Sequence, residues 1–173
     1  MSKETMSSVN EILTHLPKKI LNNRNHDALA ACILYEISQE ICLHLENAAY
    51  FIYNPDFHLC KGITGIKKNE IIHWRNDPWV NITEFQSIIK ETNYNKSIKS
   101  IEFCTVFSNK DILSVIQEIK KSINITSDES YYWLLPNNNI GILLYEPVKK
   151  DNNIINKESI ENAAILLGFC PIC

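Results

Sequence analysis

The chain has 173 residues and a mass of 20.0 kDa, enough for one domain around a single core. Hydrophobic residues make up 45% and charged residues 21%, with only 4 Gly and 6 Pro, which excludes a disordered, collagen-like or linker-like chain. A net charge of −3 supplies no basic field for nucleic acid or an anionic membrane surface.

Residues 8–22 have the pattern of a short amphipathic helix, with Ser8 as N-cap, Glu11 three residues on, and a break expected at Pro17. After a polar connection, Asp27 is placed to cap a second helix. Its apolar positions Leu29, Cys32, Ile33, Ile37, Ile41, His44 and Leu45 recur at helical spacing. A turn at Glu46-Asn47 leads to a strand from Ala48 to Tyr53. Asn54-Pro55-Asp56 then turns the chain into a second strand from His58 to Ile66, and the two form a hairpin.

Residues 67–97 are irregular, with short helices expected over 69–74 and 83–93 and a break at Asp77-Pro78. Ser100 to Phe107 alternates as a strand, and Asp111 to Ile123 repeats at helical spacing through Ile112, Val115, Ile116 and Ile119. A second hairpin follows, Tyr131–Leu135 and Ile140–Tyr145, with Asn137 and Asn138 suited to a left-handed turn. Lys157 to Gly168 is a helix burying Ile160, Ala163, Ala164 and Leu167, with Gly168 at its C-cap. The predicted fold is α+β, a central antiparallel sheet of about five to six strands with helices over one face or end of it.

The segment His73-Trp74-Arg75-Asn76-Asp77-Pro78-Trp79 is the most distinctive. Two indoles flanking an Arg and an Asp suit a small planar or anionic ligand, through an aromatic wall and a charged anchor. On the strands, Tyr131 and Trp133 share one face, and Phe103 sits in the strand before the loop. The candidate ligand-binding residues are therefore Trp74, Arg75, Asp77, Trp79, Phe103, Tyr131 and Trp133.

Six cysteines stand at 32, 42, 60, 104, 170 and 173. The first ten residues are polar. Ile12, Leu13, Leu16, Ile20 and Leu21 are interrupted by His15, Pro17, Lys18 and Lys19, so no signal-peptide block is formed. The longest apolar stretch, Ala28 to Leu34, is too short for a bilayer. The expectation is a cytoplasmic chain with reduced thiols, in which the glycosylation-type triplets at Asn81, Asn95 and Asn124 carry no meaning. Cys170-Pro171-Ile172-Cys173 is a CxxC in what reads as a terminal tail, and no second pair completes a zinc set. His58 and Cys60, alternating on a strand with His44 or His73 nearby, are a weak ligand set, so no metal is expected.

Two segments resemble the GAF domain family, small-molecule sensors related to PAS. One is Leu29 to Gly65 with "ENAAYFIYNPDFHLCKGITG". The other is "YYWLLPNNNIGILLYEPVKKDNNIINKESIENAAILLGF", Tyr131 to Phe169, with Gly141 in the family's strand-glycine position and Glu158 and Glu161 opening the last helix. The resemblance implies a helical extension over 1–26, a GAF-like domain over 27–169 and a tail over 170–173. It also implies a pocket roofed by the variable segment, dimerisation through terminal helices, and a regulatory role in bacterial signalling or transcription control. That role involves a small ligand and a protein partner or output domain, with no direct nucleic-acid binding and no membrane. It names no cofactor and leaves the ligand open. The chain is expected not to be an enzyme. Two alternatives remain: a ligand-free dimerisation or interaction module, and a thiol enzyme of the methionine sulfoxide reductase type using Cys60 and Cys104.

Overall fold

Tyr50, Phe51, Ile52 and Tyr53 form a run that is apolar on both sides, the pattern of a strand covered on two faces. In the computed structural model, which describes residues 14–23, 28–104, 111–123, 129–148, 155 and 157–170, this run is the centre of an antiparallel sheet. The described elements are helix α1 (14–22), α2 (Leu29–Ser38), β1 (Leu45–Asn54), β2 (Leu59–Lys67), a 3-10 turn (Lys68–Glu70), α3 (Ile82–Glu91) and α4 (Asn93–Lys99). Then come β3 (Glu102–Cys104), α5 (Ile112–Ser122), β4 (Ser130–Leu134), β5 (Ile140–Pro147) and α6 (Lys157–Leu167). The five strands lie in the order β3-β2-β1-β5-β4, so the fold is α+β as the sequence predicts.

The period-2 geometry of β1 sends its side chains to two separate cores. Leu45, Ala48, Tyr50 and Ile52 join α1, α2, α3 and α6, together with Leu143 and Tyr145 of β5. Ala49, Phe51 and Tyr53 join Ile98 of α4 and Val115, Ile116 and Ile119 of α5. Helices thus cover both faces of the sheet rather than one face or end. A bulge interrupts the β1–β2 ladder: Tyr50 pairs with Thr64 but Phe51 with Gly62, leaving Ile63 as the extra residue.

Several boundaries differ from the sequence reading. Residues 14–22 are continuously helical through Pro17, because Leu16 and Ile20 on either side of it are both buried in the first core. Ser8, Glu11 and Asp27 lie outside the described residues, and the capping position of α2 is Ala28, which makes no side-chain bond. The α2 pattern does not run on to Leu45. Ser38 Oγ and Gln39 Nε2 bond the carbonyls of Leu34 and Tyr35, Gln39 turns extended, and Leu43 N closes onto Ile37 O. His44 then takes left-handed backbone, and Glu46-Asn47 belong to β1 instead of forming a turn. His58 is a left-handed turn residue ahead of β2, so it does not share a strand face with Cys60.

Of the helix expected over 69–74 only the 3-10 turn exists, while α4 is a helix that the pattern does not announce. The strand expected over 100–107 is described only as Glu102–Cys104, and 105–110 lie outside the described residues. Asn137 and Asn138 both take left-handed backbone, the signature of a type I′ turn between β4 and β5. Gly168 has no positive φ. It continues the last turn of α6 by donating to the carbonyls of Ala164 and Ile165. Among the described residues no helix is long and apolar enough to cross a membrane.

Candidate functional site

The early end of α2 leaves a gap between its last turn, the start of β1 and the end of β2. The segment after β2 folds back over that gap and leaves a cleft of about 160 Å³. Tyr35, Ser38 and Gln39 of α2 line one wall. Leu45 and Ile66 form the apolar floor, and Lys68, Ile71, Ile72 and Trp74 form the opposite wall. Ser38 and Gln39 are held in place by their bonds to the helix carbonyls, so this wall is set by the termination of α2 itself.

Trp74 packs on Phe85 of α3 at 5.4 Å with the rings tilted by 49°, and Phe85 also meets Tyr35 edge-on at 5.2 Å. The Trp74 indole nitrogen is closed off from solvent and has no hydrogen-bond partner. An orphaned buried donor of this kind costs about 1–3 kcal/mol. Lys68 is exposed at the rim. Burial, reinforced by the Glu36 and Asp77 carboxylates, holds the Tyr35 hydroxyl above its usual range, so it stays a neutral donor at physiological pH.

The cleft wall is fastened a few residues further on. Trp79 donates its indole N–H to Glu36 Oε1 at 2.8 Å, and Lys19 Nζ of α1 lies 2.9 Å from the same oxygen. Lys19 also pairs with Asp77 at 3.4 Å and sits 5.7 Å from the Trp79 ring centroid, within cation–π range. Asp77 Oδ1 accepts from Trp79 N and shapes the turn. Burial lowers the Lys19 ammonium, but the Glu36 bond and charge outweigh it and leave its pKa raised.

The seven residues singled out from the sequence are therefore not one site. Trp74 lines the cleft. Asp77 and Trp79 form the clamp that holds the cleft wall to α1 and α2, and Arg75 is exposed and lines nothing. Tyr131 and Trp133 lie on the same face of the sheet but out at the β4 edge. There Trp133 stacks on Tyr50 at 5.6 Å and 11°. Phe103 faces the other core, opposite Cys60 in the β2–β3 register. Arg75, Phe103, Tyr131 and Trp133 do not line this cleft. Tyr35, Ser38, Gln39 and Lys68 do, and the sequence signals them only through a Ser-Gln pair closing an apolar helix.

Cys32, Cys42, Cys60 and Cys170 are free thiols. Burial pushes each of them up to about 12, with a nearby carboxylate adding to it at Cys32, Cys42 and Cys60. Cys170 is packed in the first core rather than lying in a tail. Cys104 pairs in register with Leu59, so it is not the cross-strand neighbour of Cys60. Among the described residues no group of three or more His, Cys, Asp or Glu side chains is placed to hold a metal ion. Comparison with protein-family models, with curated proteins and with solved structures found no match.

Proposed function

We propose that this chain is a GAF-like regulatory domain that takes a compact ligand in the cleft between α2 and the 68–74 segment. It passes the resulting change to a partner or output domain through α1. One observation carries the reading. The segment that walls the cleft is the segment clamped by Trp79, Glu36 and Lys19, so a guest that displaces Trp74 pulls on α1. A guest shifts the position of α1 only by as much as it prefers one arrangement of this segment over the other.

The cleft volume supports a small guest. A cavity of about 150 Å³ holds benzene, whereas sites for drug-sized ligands run to about 300–1,000 Å³. A cyclic nucleotide or a tetrapyrrole would extend out of this space. A homodimer through the terminal helices belongs to the same reading: Leu21 of α1 is 65% exposed, and Ile165 of α6 and Phe169 just beyond it are 58% and 57% exposed. The thiol-enzyme alternative gains no support from Cys60, which stays protonated at neutral pH.

The test is a set of benzene-sized probes titrated into the protein while amide resonances are followed. Binding is expected to move the amides of Tyr35, Gln39 and Lys68 together with those of residues 14–22. Probes that perturb nothing overturn the ligand. Perturbation that stops at the cleft overturns the coupling to α1. A ligand-free interaction module is the second reading, favoured by Tyr132 and Leu134 standing exposed on edge strand β4 at 46% and 82%.

A further inference from the structure

The chemistry of the cleft narrows what it can hold. Its floor and inner wall are apolar: Leu45, Ile66, Ile71 and the ring of Trp74. The polar groups around it are mostly occupied, because Ser38 Oγ and Gln39 Nε2 already donate to helix carbonyls. Besides the Tyr35 hydroxyl, two donors are left over. Lys68 makes no ion pair among the described residues. Trp74 Nε1 is buried with no acceptor. The other indole on this segment, Trp79, has its acceptor in Glu36. The contrast sets Trp74 apart as the buried donor of the cleft wall that has no acceptor.

We propose that the ligand is a compact carboxylate on an apolar, ring-sized body, with the ring on the Leu45–Ile66 floor and the carboxylate between Trp74 Nε1 and the Lys68 ammonium. This inference rests on the reading of the cleft as the ligand site and adds the chemistry of recognition to it. The indole nitrogen is out of water's reach, and binding turns the ring toward the cleft to meet the acceptor. That turn repays the orphaned N–H only for a guest that carries an acceptor. A purely apolar guest of the same size leaves the donor unmet and gains only burial. The carboxylate remains at the rim beside an exposed ammonium, so its desolvation is partial and compensated. The same turn moves the segment that Trp79 ties to Glu36 and Lys19, so recognition and transmission begin with one side chain.

Benzoate and benzene, at neutral pH, are the probes, and the readout is the indole N–H region of a nitrogen-15 correlation spectrum. Phenylalanine variants of Trp79 and Trp133 assign the resonances. Benzoate is expected to shift the Trp74 indole proton downfield and to leave the Trp79 proton hydrogen-bonded. Benzene is expected to bind without that shift. Trp74→Phe keeps the ring on Phe85 and deletes the donor, and Lys68→Met deletes the charge. Each is expected to weaken benzoate about tenfold, the size of a lost charge-assisted bond, and to weaken benzene by much less. The downfield shift in the unsubstituted protein decides the matter if Trp74→Phe does not fold. Equal affinity for the two probes, or a Trp74 proton that does not move with benzoate, overturns the carboxylate and leaves the cleft standing as a binding site. No perturbation of Tyr35, Gln39 or Lys68 by either probe overturns both.

Discussion

The two faces of the sheet are packed by different means. On the α4 side, helix and strand meet almost backbone to backbone. A Cβ on Gly62 would collide with the Ile98 carbonyl, and one on Gly65 would lie 2.5 Å from Ile98 Cγ1. Buried Asn95 fills its place by accepting from Thr64 Oγ1 at 3.0 Å and from Gly65 N at 3.1 Å. On the α2 side, bulky rings stand between helix and sheet. Tyr50, Trp74 and Trp133 each carry a buried polar atom with no partner, as Tyr94 does on the α4 side, and a cleft remains. Glycine contacts bring backbone against backbone on the α4 side. Aromatic contacts on the α2 side leave a cleft beside a buried donor.

Substitutions sharpen this contrast, and the largest effect is expected at the close contact. Gly62→Val drives a side chain into a backbone carbonyl and should remove more than about 4 kcal/mol of stability or abolish folding, measured by denaturant unfolding. A mild loss would show that α4 is free to move away.

Alkali should attack the other face. The unfolded chain begins to release its thiol protons from the ordinary value of 9.0, whereas the folded chain holds them to about 12. The stability contribution is therefore complete below pH 9 and falls away as pH rises towards 12. Cys32, Cys42 and Cys170 lie on the α2 side and Cys60 on the other. Unfolding curves at pH 8 and about 10.5 should lose more of their difference in a Cys32/Cys42/Cys170 alanine variant than in Cys60→Ala. The reverse order would place the alkali-sensitive packing under α5.

Asn95→Ala should cost about 3 kcal/mol, because the Thr64 hydroxyl and Gly65 N–H lose their acceptor inside the core. Trp79→Phe removes one bond to a charged acceptor and should cost about 1.5 kcal/mol. Hydrogen exchange should then quicken over 68–80 but not in α4. Equal quickening in both would mean that the clamp supports the whole domain. Tyr50→Phe is the smallest change and runs the other way. Deleting an orphaned hydroxyl should raise stability by about 1 kcal/mol, and a loss would reveal an acceptor for it.

Much of the architecture is legible in the sequence wherever a pattern and a stop signal coincide. Both hairpins, α5 and α6 fall near their expected places because Asn-Pro-Asp, Pro-Asn-Asn-Asn and Asp111 mark their ends. Asp111 accepts from Leu113 N as an N-cap does. The α2–β1 junction is not legible, because Leu43 and Leu45 are buried in either reading and only a local extended turn at Gln39 ends the helix. Helix α4 is illegible for another reason. Its sequence, NYNKSIK, buries Asn95 and Ile98, and a buried Asn reads as polar until its acceptor role is seen. The site suffered from the same bias. Aromatic residues draw attention, yet they divide between two faces of the sheet, and only Trp74 of the seven meets the cleft. Ser38 and Gln39 reach the cleft through where α2 stops and Lys68 through where β2 ends, which are tertiary outcomes.

The position of β1 also governs how this chain reaches its fold. Its partner β2 follows at once across a short turn, but its other partner, β5, arrives much later, with Asn47 bonded to Glu146 across 99 residues. The first hairpin can form early, while the opposite edge of β1, lined by Tyr50, Phe51 and Ile52, stays bare until residues 140–147 have been synthesised. Closing so long a loop is slow relative to local pairing. A nascent or truncated chain lacking β5 therefore displays the most apolar strand of the molecule along an open edge, and it should depend on chaperones that bind such strands during that interval.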